Sequence, residues 1–161
     1  MLTPFCPCGN SKTYANCCGL YHSGQAIAPT AEALMRSRFS AFARGKLDYL
    51  LSTLHPSKCK RGDRLSLAQS ISNTRWIYLE VLSRQQGRDR DRQGVVEFMA
   101  VYDRPELGQL HERSRFVRES IEGQARWFYV DGDILLPYRP KRNEPCWCQS
   151  GKPFKQCHGR K

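Results

Sequence analysis

Long apolar runs are missing from this chain of 161 residues. No stretch comes near the roughly 18 consecutive apolar residues that a membrane-spanning helix needs. The opening segment, Met1-Leu2-Thr3-Pro4-Phe5-Cys6, has neither a basic region nor an apolar run. That predicts no signal peptide and a place in the reducing cytoplasm, where eight cysteines are poor candidates for stable disulfides. Acidic charge is scarce as well: 15 Asp and Glu stand against 26 Lys and Arg, a net +11. Residues 1–30 lack charge almost entirely, with Lys12 alone, whereas residues 139–161 carry seven cations against Glu144, a net +6. A basic end of this density predicts an acidic partner, such as RNA, an anionic protein surface or a phosphate-rich assembly. What is present suffices for one core: 40% of residues are hydrophobic, which excludes a wholly disordered chain.

Seven of the eight cysteines fall into two clusters, one at each end. The first reads Cys6-Pro7-Cys8, eight residues, Cys17-Cys18; the second reads Cys146-Trp147-Cys148, eight residues, Cys157-His158. The two are offset by 140 residues throughout, and Lys12 with Lys152, Tyr14 with Phe154 and Gly19 with Gly159 keep the same offset. This is a repeated unit at the two ends rather than a solenoid period. Four thiolates at Cys6, Cys8, Cys17 and Cys18, or three thiolates and an imidazole at Cys146, Cys148, Cys157 and His158, suit tetrahedral zinc. Two ions per chain are expected, and iron(II) accepts the same donors. All four positions in each set come from protein, which points to structural rather than catalytic metal. Ser11 and the Ser150-Gly151 pair are expected to open short helices, with Pro153 in a first turn, that return the last two ligands to the ion. Disulfides and redox-active C-x-C thiols compete with this reading, and His22 competes with Cys18 as fourth ligand. Metal loading brings the first unit near −1 and leaves the second near +5, so only the second suits anionic surfaces.

The segment from Arg142 to Gly159 resembles the SEC-C motif, the small zinc-binding tail of the SecA translocation ATPase. Two copies around a middle of about 110 residues, with Leu34-Met35-Arg36-Ser37-Arg38-Phe39 and Glu112-Arg113-Ser114-Arg115-Phe116 inside it, resemble the YchJ family of bacterial proteins. The resemblance implies metal ligation at the eight positions above. It also implies a nuclear transport factor 2-like fold, a helix-backed curved sheet with a conical cavity, and, by analogy with SecA, contacts with a ribosome or an export chaperone. The chain departs from the motif at Trp147 and Gln149, where a small residue or Pro and then Gly are usual, and at Cys18, which replaces His.

The middle reads as α+β. Ala31, Leu34, Met35, Arg38, Phe39 and Phe42 recur at helical spacing behind Thr30 as a cap, and Gly45 separates a second helix over Leu47 to Leu54. A shorter helix is predicted over Leu65 to Ser72. Strands are predicted over Trp76 to Leu82, Gly94 to Tyr102, Leu110 to Val117 and Ala125 to Val130, with Gln85 to Gln93 as a charged tip and Asp131-Gly132-Asp133 as a turn. Helices followed by antiparallel strands give an α+β order. The expected organisation is a metal knuckle over 1–24, a helix-and-sheet domain over 25–138 and a second knuckle over 139–161.

The favoured reading is a non-catalytic, metal-binding adaptor. Its C-terminal knuckle docks on an acidic partner, such as a ribosome or an export chaperone, through Lys141, Arg142, Lys152 and Lys155. One alternative is a small-molecule-binding or enzymatic middle domain, with Arg38 and Glu112 as a candidate pocket pair and Asp48, Asp103, His111 and Tyr129 as further titratable candidates. Another is direct RNA binding, with Lys161 and Arg160 in the basic set and Trp147 for base stacking. Cys59, between Lys58 and Lys60, reads as an incidental loop thiol.

Overall fold

The computed structural model describes residues 5–160; Lys161 of the predicted basic set lies outside the described residues. Four helices precede four strands: α1 (Cys18–His22), α2 (Ala31–Arg44), α3 (Leu47–Ser52), α4 (Asp63–Asn73), then β1 (Trp76–Gln86), β2 (Gln93–Tyr102), β3 (Gly108–Ile121) and β4 (Gln124–Ile134). The strands pair antiparallel in the order β1-β2-β3-β4, a meander. The helices lie ahead of the sheet in sequence and back one face of it, the α+β, nuclear transport factor 2-like arrangement expected.

Local chemistry explains the long helix. Thr30 accepts a hydrogen bond from the Ala33 amide at 3.0 Å, Glu32 sits in the first turn and Arg44 in the last. Gly45, at φ +69°, ends the helix in a left-handed conformation. The face of α2 carrying Ala31, Leu34, Met35 and Phe39 packs on Leu79, Val96, Phe98, Ala100, Phe116 and Trp127 to form the core.

Strand alternation puts Val96, Phe98 and Ala100 toward α2 and therefore Met99 and Val101 on the outer face. Both are nonetheless fully buried. The chain after β4 runs across that face. The Leu135 amide bonds the His111 carbonyl, Tyr138 exchanges two hydrogen bonds with Gln109 and packs edge-on against the His111 ring, and Pro140 is buried. His111 and Gln109 lie directly opposite Met99 and Val101 in the register, so this strap covers them.

Three expectations need correction. Asp131-Gly132-Asp133 is not a turn but the interior of β4, paired with Arg115, Ser114 and Arg113. Three predicted strands stop short: β1, β3 and β4 extend beyond their apolar centres through charged residues, whereas β2 gains only Gln93. The knuckles do not open with serine-capped helices. Each has a single 3₁₀ turn, Tyr14–Asn16 or Phe154–Gln156, preceded by Thr13 or Pro153 with no side-chain cap.

Candidate metal centres

The two cysteine units share a hairpin and a 3₁₀ turn, and only the first continues into a helix, α1. The Cys6 amide donates to the Lys12 carbonyl at 2.8 Å, and Cys146 to Lys152 at 2.9 Å. Gly9 bonds Cys6 and Gln149 bonds Cys146, both at 3.2 Å, and Cys17 and Cys157 close on Tyr14 and Phe154. Isolated bridges join Phe5 to Thr13 and Pro145 to Pro153. A hairpin thus presents the C-x-C pair while the 3₁₀ turn returns the remaining two ligands. Gly19 and Gly159 complete the match: a Cβ there would lie 2.6 or 2.7 Å from the Tyr14 or Phe154 carbonyl oxygen, so only glycine fits.

In each unit the four candidate ligand atoms lie within 4.8 Å of one another. Cys8 and Cys17 are 3.6 Å apart at sulfur, as are Cys148 and Cys157, while the His158 Nδ1 is 3.3 Å from the Cys146 and Cys157 sulfurs. Tetrahedral bonds of about 2.3 Å place thiolates roughly 3.8 Å apart, so each cluster can hold a metal ion. The cysteines are free rather than bridged. Thiols this close cannot all ionise unaided. Hydrogen bonds from Cys18 and Cys8 hold Cys6 far below the usual thiol range, while Cys18, facing Cys6 and Cys8 in burial, is pushed far above it. A dication removes that conflict by accepting every ligand as thiolate.

Two donors were not anticipated. Asn10 points its amide at Cys17 (3.7 Å), and Ser150 its hydroxyl at Cys157 (3.5 Å). The hydrogen bond from Ser150 is the leading cause of a lowered Cys157 thiol. The two donors share the offset of 140, so the repeat itself was the available signal. His22 is not a ligand. Its ring bonds the Tyr14 hydroxyl at 2.7 Å and the Ser37 carbonyl at 2.8 Å, away from the sulfurs.

The units differ in surroundings. Cys6, Cys8 and Cys18 are buried, with Arg36 donating to the Cys8 carbonyl at 2.7 Å, Cys6 3.8 Å from Ser40 and the Arg44 guanidinium 3.9 Å from the centre of the Tyr14 ring. In the second unit Cys146 is buried, Cys148 and Cys157 are half-buried and His158 is exposed. Lys141, Arg142, Lys152, Lys155 and Arg160 are exposed around it, with no ion pair among the described residues. Trp147 packs one face against the His158 ring, centroids 4.4 Å apart.

The titratable candidates of the middle domain mostly disperse. Asp48 pairs with Arg64 on the surface, Asp103 with Arg75, and His111 with Glu97 and the Leu136 carbonyl on the outer face. Only Glu112 and Tyr129 meet, at 3.1 Å, inside the sheet. Arg38 lines the same cavity but makes no ion pair with Glu112. It donates to the Leu50 carbonyl and Thr53 hydroxyl, and its guanidinium lies 4.8 Å from the centre of the Tyr129 ring. Burial pushes Arg38 down to about 10 and pushes Tyr129 up, the latter helped by the Glu112 charge. Cys59 is exposed near the His55 carbonyl and joins neither cluster.

Residues 30–132 match the model of the YchJ middle domain, an NTF2-like domain, and residues 142–160 match the SEC-C motif. The chain belongs to the YchJ family. Its relatives include UPF0225 protein VP1145 of Vibrio parahaemolyticus and UPF0225 protein VV1358 of Vibrio vulnificus, each 40% identical over 96% of this chain and 98% of its own. Two solved structures share the fold. A SEC-C motif containing protein from Rhodopseudomonas palustris is 32% identical, with a TM-score of 0.70 over 81% of this chain and 98% of its own. One from Psychrobacter arcticus is 30% identical, with a TM-score of 0.68 over 99% and 98%. No helix among the described residues is long and apolar enough to cross a membrane.

Proposed function

We propose that this YchJ-family chain is a non-catalytic cytoplasmic adaptor carrying two structural zinc ions. Its C-terminal knuckle docks on an acidic partner surface, of the kind a ribosome or an export chaperone presents. The observation that carries the reading is the contrast between two units of the same backbone. One is buried against α2, and the other holds its ligands near the surface among exposed Lys141, Arg142, Lys152 and Lys155 with no acidic partner of their own. Zinc is favoured over iron(II) because four protein donors close each tetrahedral site and no redox role is asked of it. The dispersal of Asp48, Asp103 and His111 supports a role other than acid–base catalysis. Direct RNA binding is the weaker reading, since one face of Trp147 is already taken by His158.

Elemental analysis of the purified, untagged protein tests the metal: two zinc ions per chain are expected in the wild type and one in Cys146→Ser, Cys148→Ser. Cosedimentation with ribosomes tests the docking. Lys152→Glu, Lys155→Glu should weaken association at least tenfold while leaving the zinc content at two. Unaltered association would overturn the basic-knuckle reading.

A further inference from the structure

The sheet and helices enclose a space that the adaptor reading does not use. Between α2, α4 and the inner sheet face lies a cavity of about 350 Å³, within the range of sites for small organic molecules. Its walls are mostly apolar, from Met35, Phe39 and Leu67 on the helices to Phe98, Ala100 and Phe116 on the strands, with polar side chains of α4 at one side.

One polar group in it is held ready rather than consumed. The Ser114 hydroxyl donates to Glu112 Oε1 at 2.7 Å and the Tyr129 hydroxyl donates to the same oxygen at 3.1 Å. Both bonds fix the carboxylate, and no hydrogen bond among the described residues reaches Oε2. The fold makes room for this arrangement. A Cβ at Gly132 would lie 2.1 Å from Glu112 Oε1, so the glycine near the end of β4 is the space the carboxylate occupies. Glycine inside a strand forgoes packing and is entropically costly; here it leaves an acceptor in an apolar cavity.

We propose that this cavity binds a small, neutral, largely apolar molecule carrying a hydroxyl or N–H donor, with Glu112 Oε2 as the acceptor. Neutrality follows from the charges already inside. Arg38 also lines the cavity, is 8% exposed, and lies over the ring of Tyr129, whose hydroxyl bonds Glu112, so it serves as the countercharge; Asp63, at the start of α4, lines the cavity too and accepts from the Lys60 amide. A charged ligand would have to be desolvated beside that balanced pair, whereas a neutral donor satisfies Glu112 without disturbing it. One wall is formed by α4, none of whose residues is buried, so a loosely packed helix borders the cavity.

Matched naphthalene probes test the proposal on the full-length, metal-loaded protein. 2-Naphthol has the donor, 2-methoxynaphthalene lacks it and 2-naphthoate is anionic. Binding is read by probe fluorescence and by amide shifts of Ala100, Leu110 and Ser114 in NMR spectra. 2-Naphthol should bind about 10- to 100-fold tighter than the methyl ether, the factor for one hydrogen bond to a charged group, and the naphthoate should bind weakest. Glu112→Gln keeps a carbonyl oxygen for Ser114 and Tyr129 but replaces the free acceptor with a donor. It should erase the preference for the naphthol while leaving the melting profile close to wild type. Ser66→Trp, at an exposed position on the rim, should block both neutral probes. Equal binding of the two neutral probes, an unchanged preference in Glu112→Gln, or shifts confined to residues outside the cavity would each overturn the proposal, and so would absence of binding at millimolar probe. These outcomes leave the zinc count and ribosome association untouched, so failure here is distinguishable from failure of the adaptor reading.

Discussion

The N- and C-terminal knuckles have matching hydrogen bonds but different settings, and the difference teaches what a metal site is for. In the first, three of the four sulfurs are buried, and the unit is bolted to α2 by Arg36, by Arg44 over Tyr14 and by His22 bonded to the Ser37 carbonyl. In the second, only Cys146 is buried, and the surrounding cations make no ion pair among the described residues. A metal in the first therefore supports the core of the domain, whereas a metal in the second shapes a surface.

The sharpest way to break this contrast is to remove ligands from each side. Cys6→Ser, Cys8→Ser leaves polar groups buried against α2 without a metal, a change in the upper range of single-site effects, about 4 kcal/mol. At roughly 2–4 °C per kcal/mol for a domain of this size, the main thermal transition should fall by about 8–16 °C. Cys146→Ser, Cys148→Ser should leave that transition within about 2 °C and abolish one bound ion. Equal losses from the two variants would mean that the C-terminal knuckle is as integral to the domain as the first.

A smaller effect is expected from undoing the bolt while sparing the ligands. Arg36→Ala loses a charge-assisted hydrogen bond to the Cys8 carbonyl (2.7 Å) and an i,i+4 pair with Glu32 (2.9 Å). The first contributes about 2 kcal/mol and the half-buried i,i+4 pair a few tenths. The midpoint should drop by roughly 4–8 °C, and a chelator should extract the N-terminal ion faster, with release from the C-terminal site unaltered. Chelator kinetics on the two cysteine variants assign the two phases.

His22 sharpens the comparison through pH. The Ser37 carbonyl can only accept, so His22 Nε2 carries a proton and Nδ1 accepts from Tyr14, which is the neutral ring. Burial lowers its pKa below 6.5 despite the bond to Ser37. The folded state then binds fewer protons than the unfolded one below pH 6.5. The stability due to His22 is present above that pH and is lost as pH falls toward the lowered folded value. Denaturant unfolding of wild type and His22→Gln across pH 7.5 to 5 should converge on the acid side. Parallel curves would mean that the docked knuckle does not depend on the neutral ring.

These elements also show which parts of the molecule are legible in its sequence. The two candidate metal clusters are, because metal coordination imposes residue type and spacing together, and the offset of 140 states both twice. The long α2 and the order of helices and strands are legible too, because one buried face recurs at a fixed period. Asp131-Gly132-Asp133 is not. Its composition is that of a turn, and the reasons for each residue lie across the sheet: both aspartates bond Arg115, and Gly132 accommodates Glu112. Arg38 and Glu112 both line one cavity, but the sequence cannot tell that they make no ion pair there and that Tyr129 contacts each, its ring under Arg38 and its hydroxyl on Glu112. Burial of Met99 and Val101 is hidden for a similar reason, since the strap that covers them comes from beyond β4.

The smallest effect separates the two copies at a single backbone position. Gly9 has φ +84° in the first knuckle, and its counterpart Gln149 has φ +62° in the second. A side chain in this left-handed region costs about 1 kcal/mol relative to glycine, so the C-terminal knuckle carries strain that the N-terminal one avoids. Gln149→Gly should relieve it and tighten zinc at that site by up to about fivefold, at 1.4 kcal/mol per tenfold. A competing contribution runs the other way. The Gln149 amide is 3.4 Å from the Trp147 carbonyl, and its side chain approaches Tyr78 on β1, where it opposes the rise that burial gives the Tyr78 hydroxyl. Competitive zinc titration of Gln149→Gly beside Tyr78→Phe distinguishes them. Tighter binding in the first with no change in the second means that backbone strain dominates. Weaker binding in both means that the glutamine is retained for its contact with the sheet, and that the exposed knuckle is held in a fixed orientation despite its open surroundings.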